Sequence, residues 1–147
     1  MKKQSIALLL MLAVSVVFAV ICGGCLPKTL QDGTYTAKMA SPDEHGWTET
    51  LTLTVKDGKI TEADCDAFNA DGKRKSEDEE YNKTMESYGG TTTPSKFYPE
   101  LEQGLVNTQK VDAVAGATTS SDSMEKLYNA LISNMEKGDT SEVSVTP

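Results

Sequence analysis

The strongest constraint on the fold is a pair of alternating segments joined by an Asp-Gly turn. Residues 48–55 place Leu51, Leu53 and Val55 on one face and threonines on the other, which is the period-two pattern of a half-buried strand. The turn "KDGK" follows at residues 56–59, and Asp-Gly readily adopts the positive φ values of a two-residue hairpin loop. "ITEADCDAF" then returns as the partner strand. The sequence therefore predicts a β-hairpin.

The remaining regular segments give an order of strands followed by helices. Residues 32–39, "DGTYTAKM", also alternate and predict a third strand. Near the C-terminus, Gly138 ends a predicted helix, and residues 139–147 are expected to form a flexible tail. The apolar residues of that helix recur at helical spacing: Met124, Leu127, Tyr128, Leu131, Ile132 and Met135. We predict an α+β fold, a small antiparallel sheet packed by helices.

Two further helices are expected between the hairpin and the last helix. Residues 69–80 are dense in charge and predict a solvated loop followed by a helix start. Ser76 is expected to cap a helix that ends near residue 87. Ser95 is expected to cap another over residues 96–108, in which Pro99 is tolerated because it falls in the first turn.

The N-terminus predicts export and a lipid anchor. Two lysines precede an apolar run over residues 6–21, and Gly-Gly-Cys closes the segment at Cys25. The run is shorter than the about 20 apolar residues of a spanning helix, and its end resembles the lipobox of bacterial lipoproteins. We expect a signal peptide over residues 1–24 and lipidation of Cys25. The alternative is an uncleaved membrane anchor.

Cleavage before Cys25 leaves one acidic domain on a short tether. It takes the chain from 147 to 123 residues and its formal charge from −8 to −10, which argues against nucleic acid as a partner. Residues 25–31 form the lipidated cysteine and tether, and residues 32–138 the domain. With Cys25 lipidated, Cys65 is the one free cysteine left, and His45 is the single histidine, so we expect neither an internal disulfide nor a metal site.

A stretch of small residues and hydroxyls precedes the last helix. "DAVAGAT", residues 112–118, runs into further hydroxyl residues, with Ser120 or Ser121 as the expected helix start. Gly116 and Ala117 leave the Thr118 hydroxyl accessible, and the N–H groups of a helix N-terminus can hold a phosphate. By itself the stretch also fits an ordinary helix cap.

The same stretch resembles the covalent flavin-attachment motif of the FMN-binding domain family. That motif has an aspartate, two free positions, usually Ser or Thr, and then Gly-Ala-Thr; this chain departs from it at Ala115. Four other segments resemble the lipoprotein branch of the family in the same order: "LQDGTYTAK", "DEHGW", "LTVKDGKIT" and "KSEDEEYNKTM".

The resemblance implies a cofactor, a modifying enzyme and a set of site residues. FMN would be attached to Thr118 through a phosphoester by a flavin transferase that uses FAD and Mg²⁺. Asp112 would help to position that enzyme or its metal. The other expected site residues are Gly116, Ala117, Thr119, Ser120 and Trp47, the last as a cover for the flavin ring. Trp47 is alternatively a core residue, and Tyr88 and Tyr98 are weaker candidates for covering the ring.

The expected function is electron transfer rather than catalysis. The chain would be an extracytoplasmic flavoprotein on the cell membrane that takes electrons from a membrane-bound donor. Two alternatives remain open at this stage, a non-redox solute-binding lipoprotein and a structural surface lipoprotein.

Overall fold

The computed structural model describes residues 29–147. The predicted signal peptide, Cys25 and most of the tether lie outside this range. No helix of the described part is long and apolar enough to cross a bilayer. The elements are β1 (Gly33–Met39), β2 (Thr48–Lys56), β3 (Lys59–Phe68), α1 (Glu79–Ser87), α2 (Pro94–Thr108), α3 (Thr118–Lys137) and β4 (Val143–Val145).

The sheet has the strand order β3-β2-β1-β4. β1, β2 and β3 pair antiparallel, as predicted. The hairpin turn is confirmed, because Asp57 and Gly58 have φ values of 53° and 73°. β4 is parallel to β1, so the sheet is mixed rather than wholly antiparallel. The α+β class is confirmed.

β4 corrects the prediction of a frayed tail after Gly138. Val143 and Val145 pair with Ala37 and Met39 of β1, and the Ala40 N–H donates to the Val145 carbonyl at 2.7 Å. Three residues are too few to show a period, and their partner strand lies about a hundred positions away in the chain. The pairing arises because α3 returns the chain to the open edge of β1.

One face of the sheet carries the core. Every second side chain of each strand points to this face of the sheet. Here α3 packs over β1 and β2, and α2 packs over β3. The opposite face is polar, with the Thr36 and Thr52 hydroxyls 3.1 Å apart. The buried core residues contributed by the sheet include Tyr35, Ala37, Leu51, Leu53, Val55, Cys65 and Ala67.

The start of α1 differs from the prediction. Asp78 is the N-cap and accepts a hydrogen bond from the Tyr81 N–H at 3.0 Å. Ser76, the predicted cap, donates its hydroxyl to Asp66 instead. Asp66 is buried on β3, and a buried carboxylate needs hydrogen-bond donors. Ser76 and Arg74 supply them, so the helix begins after this network.

The start of α2 also differs. Thr93 is the N-cap and Pro94 the first helical residue, so Ser95 lies inside the first turn. The fixed φ of proline suits a first helical position and restricts the preceding residue to extended backbone, which Thr93 adopts with φ −134° and ψ 161°. Pro99 consequently falls inside the helix rather than in its first turn.

Candidate functional site

The motif stretch forms the N-terminus of α3, which begins at Thr118 and not at Ser120 or Ser121. Ser121 explains the earlier start. Its N–H donates to the Ala117 carbonyl at 2.9 Å, and its buried hydroxyl donates to the same carbonyl while accepting from the Val114 N–H at 3.1 Å. These bonds fix the loop against the first turn, so Ala117 serves as N-cap without a polar side chain.

Gly116 is required by its surroundings. Its φ is +82°, and a Cβ on this residue would overlap Thr91 Oγ1 from the segment that leads into α2. Left-handed backbone and close approach both favour glycine. Gly116 therefore joins the motif loop to the segment between α1 and α2.

The first turn of α3 presents a hydroxyl and free N–H groups. Thr118 and Thr119 are exposed, and Ser120 is buried. The N–H groups of these three residues precede the first backbone bond of the helix, which Ser121 donates. Such a helix start carries partial positive charge and attracts anions.

A cavity of about 270 Å³ opens beside this turn. This is close to the lower end of the roughly 300–1,000 Å³ typical of small-molecule sites. Residues 116–120 line one part of it, and Tyr81 and Met85 of α1 and Phe97 of α2 form its apolar wall. Polar and ionisable side chains complete it: Asp43, Glu44, His45, Glu49 and Lys75.

Glu49 is the half-buried carboxyl of the cavity. The Tyr98 hydroxyl donates to Glu49 Oε1 at 3.3 Å. Burial raises the pKa of Glu49, and the hydroxyls of Ser123 and Ser120 and the Lys75 ammonium offset part of the rise. Burial and the Glu49 charge likewise raise the pKa of Tyr98. Glu49 therefore links the sheet to the first turns of α3.

Lys75 is the buried cation of the cavity. The residue is 7% exposed, and its backbone N–H donates to the Ala67 carbonyl at 2.8 Å. Its Nζ lies 4.9 Å from the centroid of the Tyr81 ring and 5.7 Å from that of Trp47. The predicted solvated loop over residues 69–80 thus contains a buried lysine.

The structure brings most of the predicted site residues together. Gly116, Ala117, Thr118, Thr119 and Ser120 all line the cavity. Asp112 is exposed in the preceding loop and does not line it.

The aromatic candidates occupy three different environments. Trp47 is 7% exposed and packs edge-to-face on Tyr81, with ring centroids 5.7 Å apart. It borders another cavity of about 260 Å³, which shares Asp43, Glu49 and Thr119 with the first. Tyr98 is buried behind Glu49, whereas Tyr88 is 85% exposed and outside both cavities.

Sequence reasoning missed Glu49, Lys75 and Tyr81. Glu49 had a detectable signal, because it lies in phase with Leu51 and Leu53 on the apolar face of β2. An acidic residue in phase with core positions indicates a carboxyl that faces inward. Lys75 had no such signal, because it lies in a run of charged residues. Only the tertiary fold determines which residues of that run are buried and which are solvated.

Comparisons with known proteins identify the family of the chain. The FMN-binding domain model matches residues 45–133, from the loop before β2 to the last turns of α3. The 15 kDa lipoprotein of Treponema pallidum (strain Nichols) is 35% identical over 124 residues, covering 82% of this chain and 87% of that protein. The crystal structure of the CPE2226 protein from Clostridium perfringens matches with a TM-score of 0.76 and 37% identity, covering 80% of this chain and 98% of that one. The chain belongs to the FMN-binding domain family.

Proposed function

We propose that the protein is a membrane-anchored, extracytoplasmic flavoprotein that carries electrons through an FMN attached covalently to Thr118. The observation that carries the proposal is the position of the Thr118 hydroxyl. It is exposed on the first residue of α3 and opens onto a cavity with an apolar wall. Family membership supports FMN as the cofactor.

The residues present fit the two ends of the cofactor. A phosphodiester on Thr118 would lie at the start of α3, where the N–H groups of the first turn can donate to it. Gly116 keeps this approach free of a side chain. The planar ring would occupy the space bounded by Tyr81, Met85 and Phe97, which suits an aromatic group. The cavity volume of about 270 Å³ suits the ring rather than the whole mononucleotide.

Attachment is a phosphoryl transfer in which this chain supplies the acceptor. The Thr118 oxygen forms a bond to the FMN-side phosphorus of FAD, the pyrophosphate bond breaks, AMP leaves, and the hydroxyl loses its proton. Positioning and charge neutralisation dominate such reactions. A flavin transferase with Mg²⁺ would supply them, and the exposed Asp112 would contribute to its docking.

Bound FMN would supply the electron-carrying chemistry, while the protein binds, orients and tunes it. An anchor at Cys25 would hold the domain at the membrane, where a membrane-bound donor reduces it. The relative from Treponema pallidum is named a lipoprotein, which supports the anchor.

Intact mass tests the attachment site. Co-expression with a flavin transferase should add the mass of one FMN less water to the wild-type chain. Thr118→Ala should abolish the addition because the acceptor oxygen is gone, and Thr118→Ser should retain it. Thr119→Ala is the matched control for the identity of the acceptor, since Thr119 is the exposed neighbour in the same turn, and it should still gain the mass of one FMN less water.

Two outcomes would contradict the proposal. FMN that remains on Thr118→Ala after denaturation would move the acceptor to another hydroxyl. If the wild-type chain gains no mass when it is co-expressed with a competent transferase, the electron-carrier hypothesis is excluded. The hypotheses of a non-redox binding lipoprotein and of a structural lipoprotein would then remain.

A further inference from the structure

Lys75 is a buried cation that forms an ion pair with Asp43 but no hydrogen bond to a carboxylate among the described residues. Its side chain is 9% exposed, and Asp43 Oδ2, the nearest carboxylate oxygen among the described residues, is 3.8 Å from Nζ. That distance is beyond hydrogen-bond reach. The side chain lies instead against the rings of Tyr81 and Trp47, 4.9 and 5.7 Å from Nζ. Cation–π contact compensates part of the lost hydration of an ammonium, and the remainder calls for a negative partner.

Lys75 is one of the residues that line the cavity. Lys75 lines the same space as Thr118, Tyr81 and Phe97. Three carboxyl groups border this space with it: Asp43 and Glu44 from the loop between β1 and β2, and Glu49 from β2. Asp43 and Glu44 are exposed, and the pKa of Glu49 is raised by burial. Lys75 is accordingly the most enclosed positive charge facing the position assigned to the flavin ring.

The position of Lys75 favours the ring over the phosphate as its partner. The phosphate end is fixed by Thr118 and supplied with N–H donors by the first turn of α3. Lys75 follows β3 and is in contact with Tyr81 of α1, on the aromatic side of the cavity. An ammonium on that side would lie beside the ring system of a bound FMN. The polar edge of that ring gains negative charge when electrons are added.

We propose that the Lys75 ammonium lies beside the flavin ring and stabilises the negative charge that the ring acquires on reduction. Lys75 thereby raises the reduction potential of the bound FMN. This inference rests on the proposed function, because it needs FMN on Thr118. It adds a residue that sets how readily the carrier accepts electrons.

Spectroelectrochemical titration of the covalently flavinylated protein tests the proposal, with an electrode as the source of electrons. Lys75→Met keeps the length of the side chain and removes its charge, so the midpoint potential should fall. Lys75→Arg should stay nearer to wild type. Lys83→Met removes the same charge from an exposed residue of α1 that does not line the cavity, and it should leave the potential unchanged.

A variant that should shift the midpoint potential in the opposite direction gives a second test, which does not depend on whether a Lys75 variant folds. Asp43→Asn removes the carboxylate nearest to Lys75 and should raise the potential. The carbonyl oxygen of the new amide can still accept the hydrogen bonds that Asp43 Oδ1 receives from the His45 and Trp47 N–H groups, both at 2.9 Å.

The results separate this inference from the proposed function. Wild-type protein without covalent FMN would mean that the proposed function fails. Covalent FMN with equal potentials in wild type and Lys75→Met would overturn the role of Lys75. A lower flavinylation yield in Lys75→Met at unchanged potential would place Lys75 at the phosphate instead, and would also overturn it.

Discussion

At the scale of single residues, the cavity places a carboxyl where burial opposes its charge. Glu49 points inward from β2, in phase with core side chains, and its pKa is raised chiefly by burial. Between the unfolded and the folded pKa of such a group, the native state binds more protons than the unfolded chain. The free energy of unfolding therefore falls as the pH rises through that interval.

Glu49→Gln should remove this pH dependence. In protein expressed without a flavin transferase, the variant should be more stable than wild type at pH 7 and the two should converge below about pH 4.5, the ordinary pKa range of Glu. We expect this gain at neutral pH because the amide has no charge to bury and its oxygen can still accept from the Tyr98 hydroxyl. Urea unfolding from pH 4 to 8 measures it. Glu125→Gln, an exposed site on α3, is the control, and a gain that does not grow with pH would contradict the interpretation.

At the scale of elements, the site depends on the contact between two loops. The segment leading into α2 approaches the motif loop at Gly116, where Thr91 Oγ1 occupies the space of a Cβ. α1 has no buried residue and contributes only the part-buried Tyr81 and Met85 to the core cluster. This loop contact therefore connects the cavity wall formed by α1 to the start of α3.

Gly116→Ala should destabilise the protein and reduce flavinylation. The positive φ and the overlap with Thr91 together predict a loss of about 1–3 kcal/mol in the free energy of unfolding. Gly104→Ala is the matched control, because Gly104 lies within α2 and a Cβ there meets no heavy atom within 4 Å. It should stabilise by roughly 0.5–1 kcal/mol. Urea unfolding and intact mass report the two effects, and a neutral Gly116→Ala would show that the loops move apart easily.

At the scale of the whole molecule, the structure leaves a shorter tether than the predicted residues 25–31. Leu30 packs against the core cluster, and the Gln31 N–H donates to the Met135 carbonyl at 2.7 Å. The Tyr35 hydroxyl also donates to the Gln31 carbonyl at 2.8 Å. With lipid on Cys25, only residues 26–29 remain between the anchor and the domain, a reach of roughly 14 Å. The flavin would be confined to a thin layer above the bilayer.

Anchoring should therefore accelerate reduction by membranes without altering the cofactor. A soluble variant that lacks residues 1–25 should accept FMN and keep its potential, yet be reduced more slowly than the lipidated form at equal bulk concentration. The tether supplies a local concentration on the order of millimolar. Stopped-flow reduction with donor membranes measures the difference, and an inserted Gly/Ser linker should give a different rate at the same potential. Equal rates for both forms would mean that the donor is soluble.

The sequence by itself determined the features that are local in the chain. The Asp-Gly turn and the alternation of β2 specified the hairpin, because two-residue turns and strand periodicity depend on neighbouring residues. The apolar spacing of α3 and the stop at Gly138 were predicted for the same reason. The motif at residues 112–118 identified the family, which the domain match confirms.

Only the tertiary structure decided the features that depend on distant partners. β4 needed the open edge of β1, and α1 began at Asp78 because Ser76 was bound to the buried Asp66 of β3. The burial of Lys75 in the cavity also depends on distant residues. Lys75 is buried because Tyr81 and Trp47 meet over it, and a local charge pattern cannot distinguish a lysine enclosed by remote rings from one left in water.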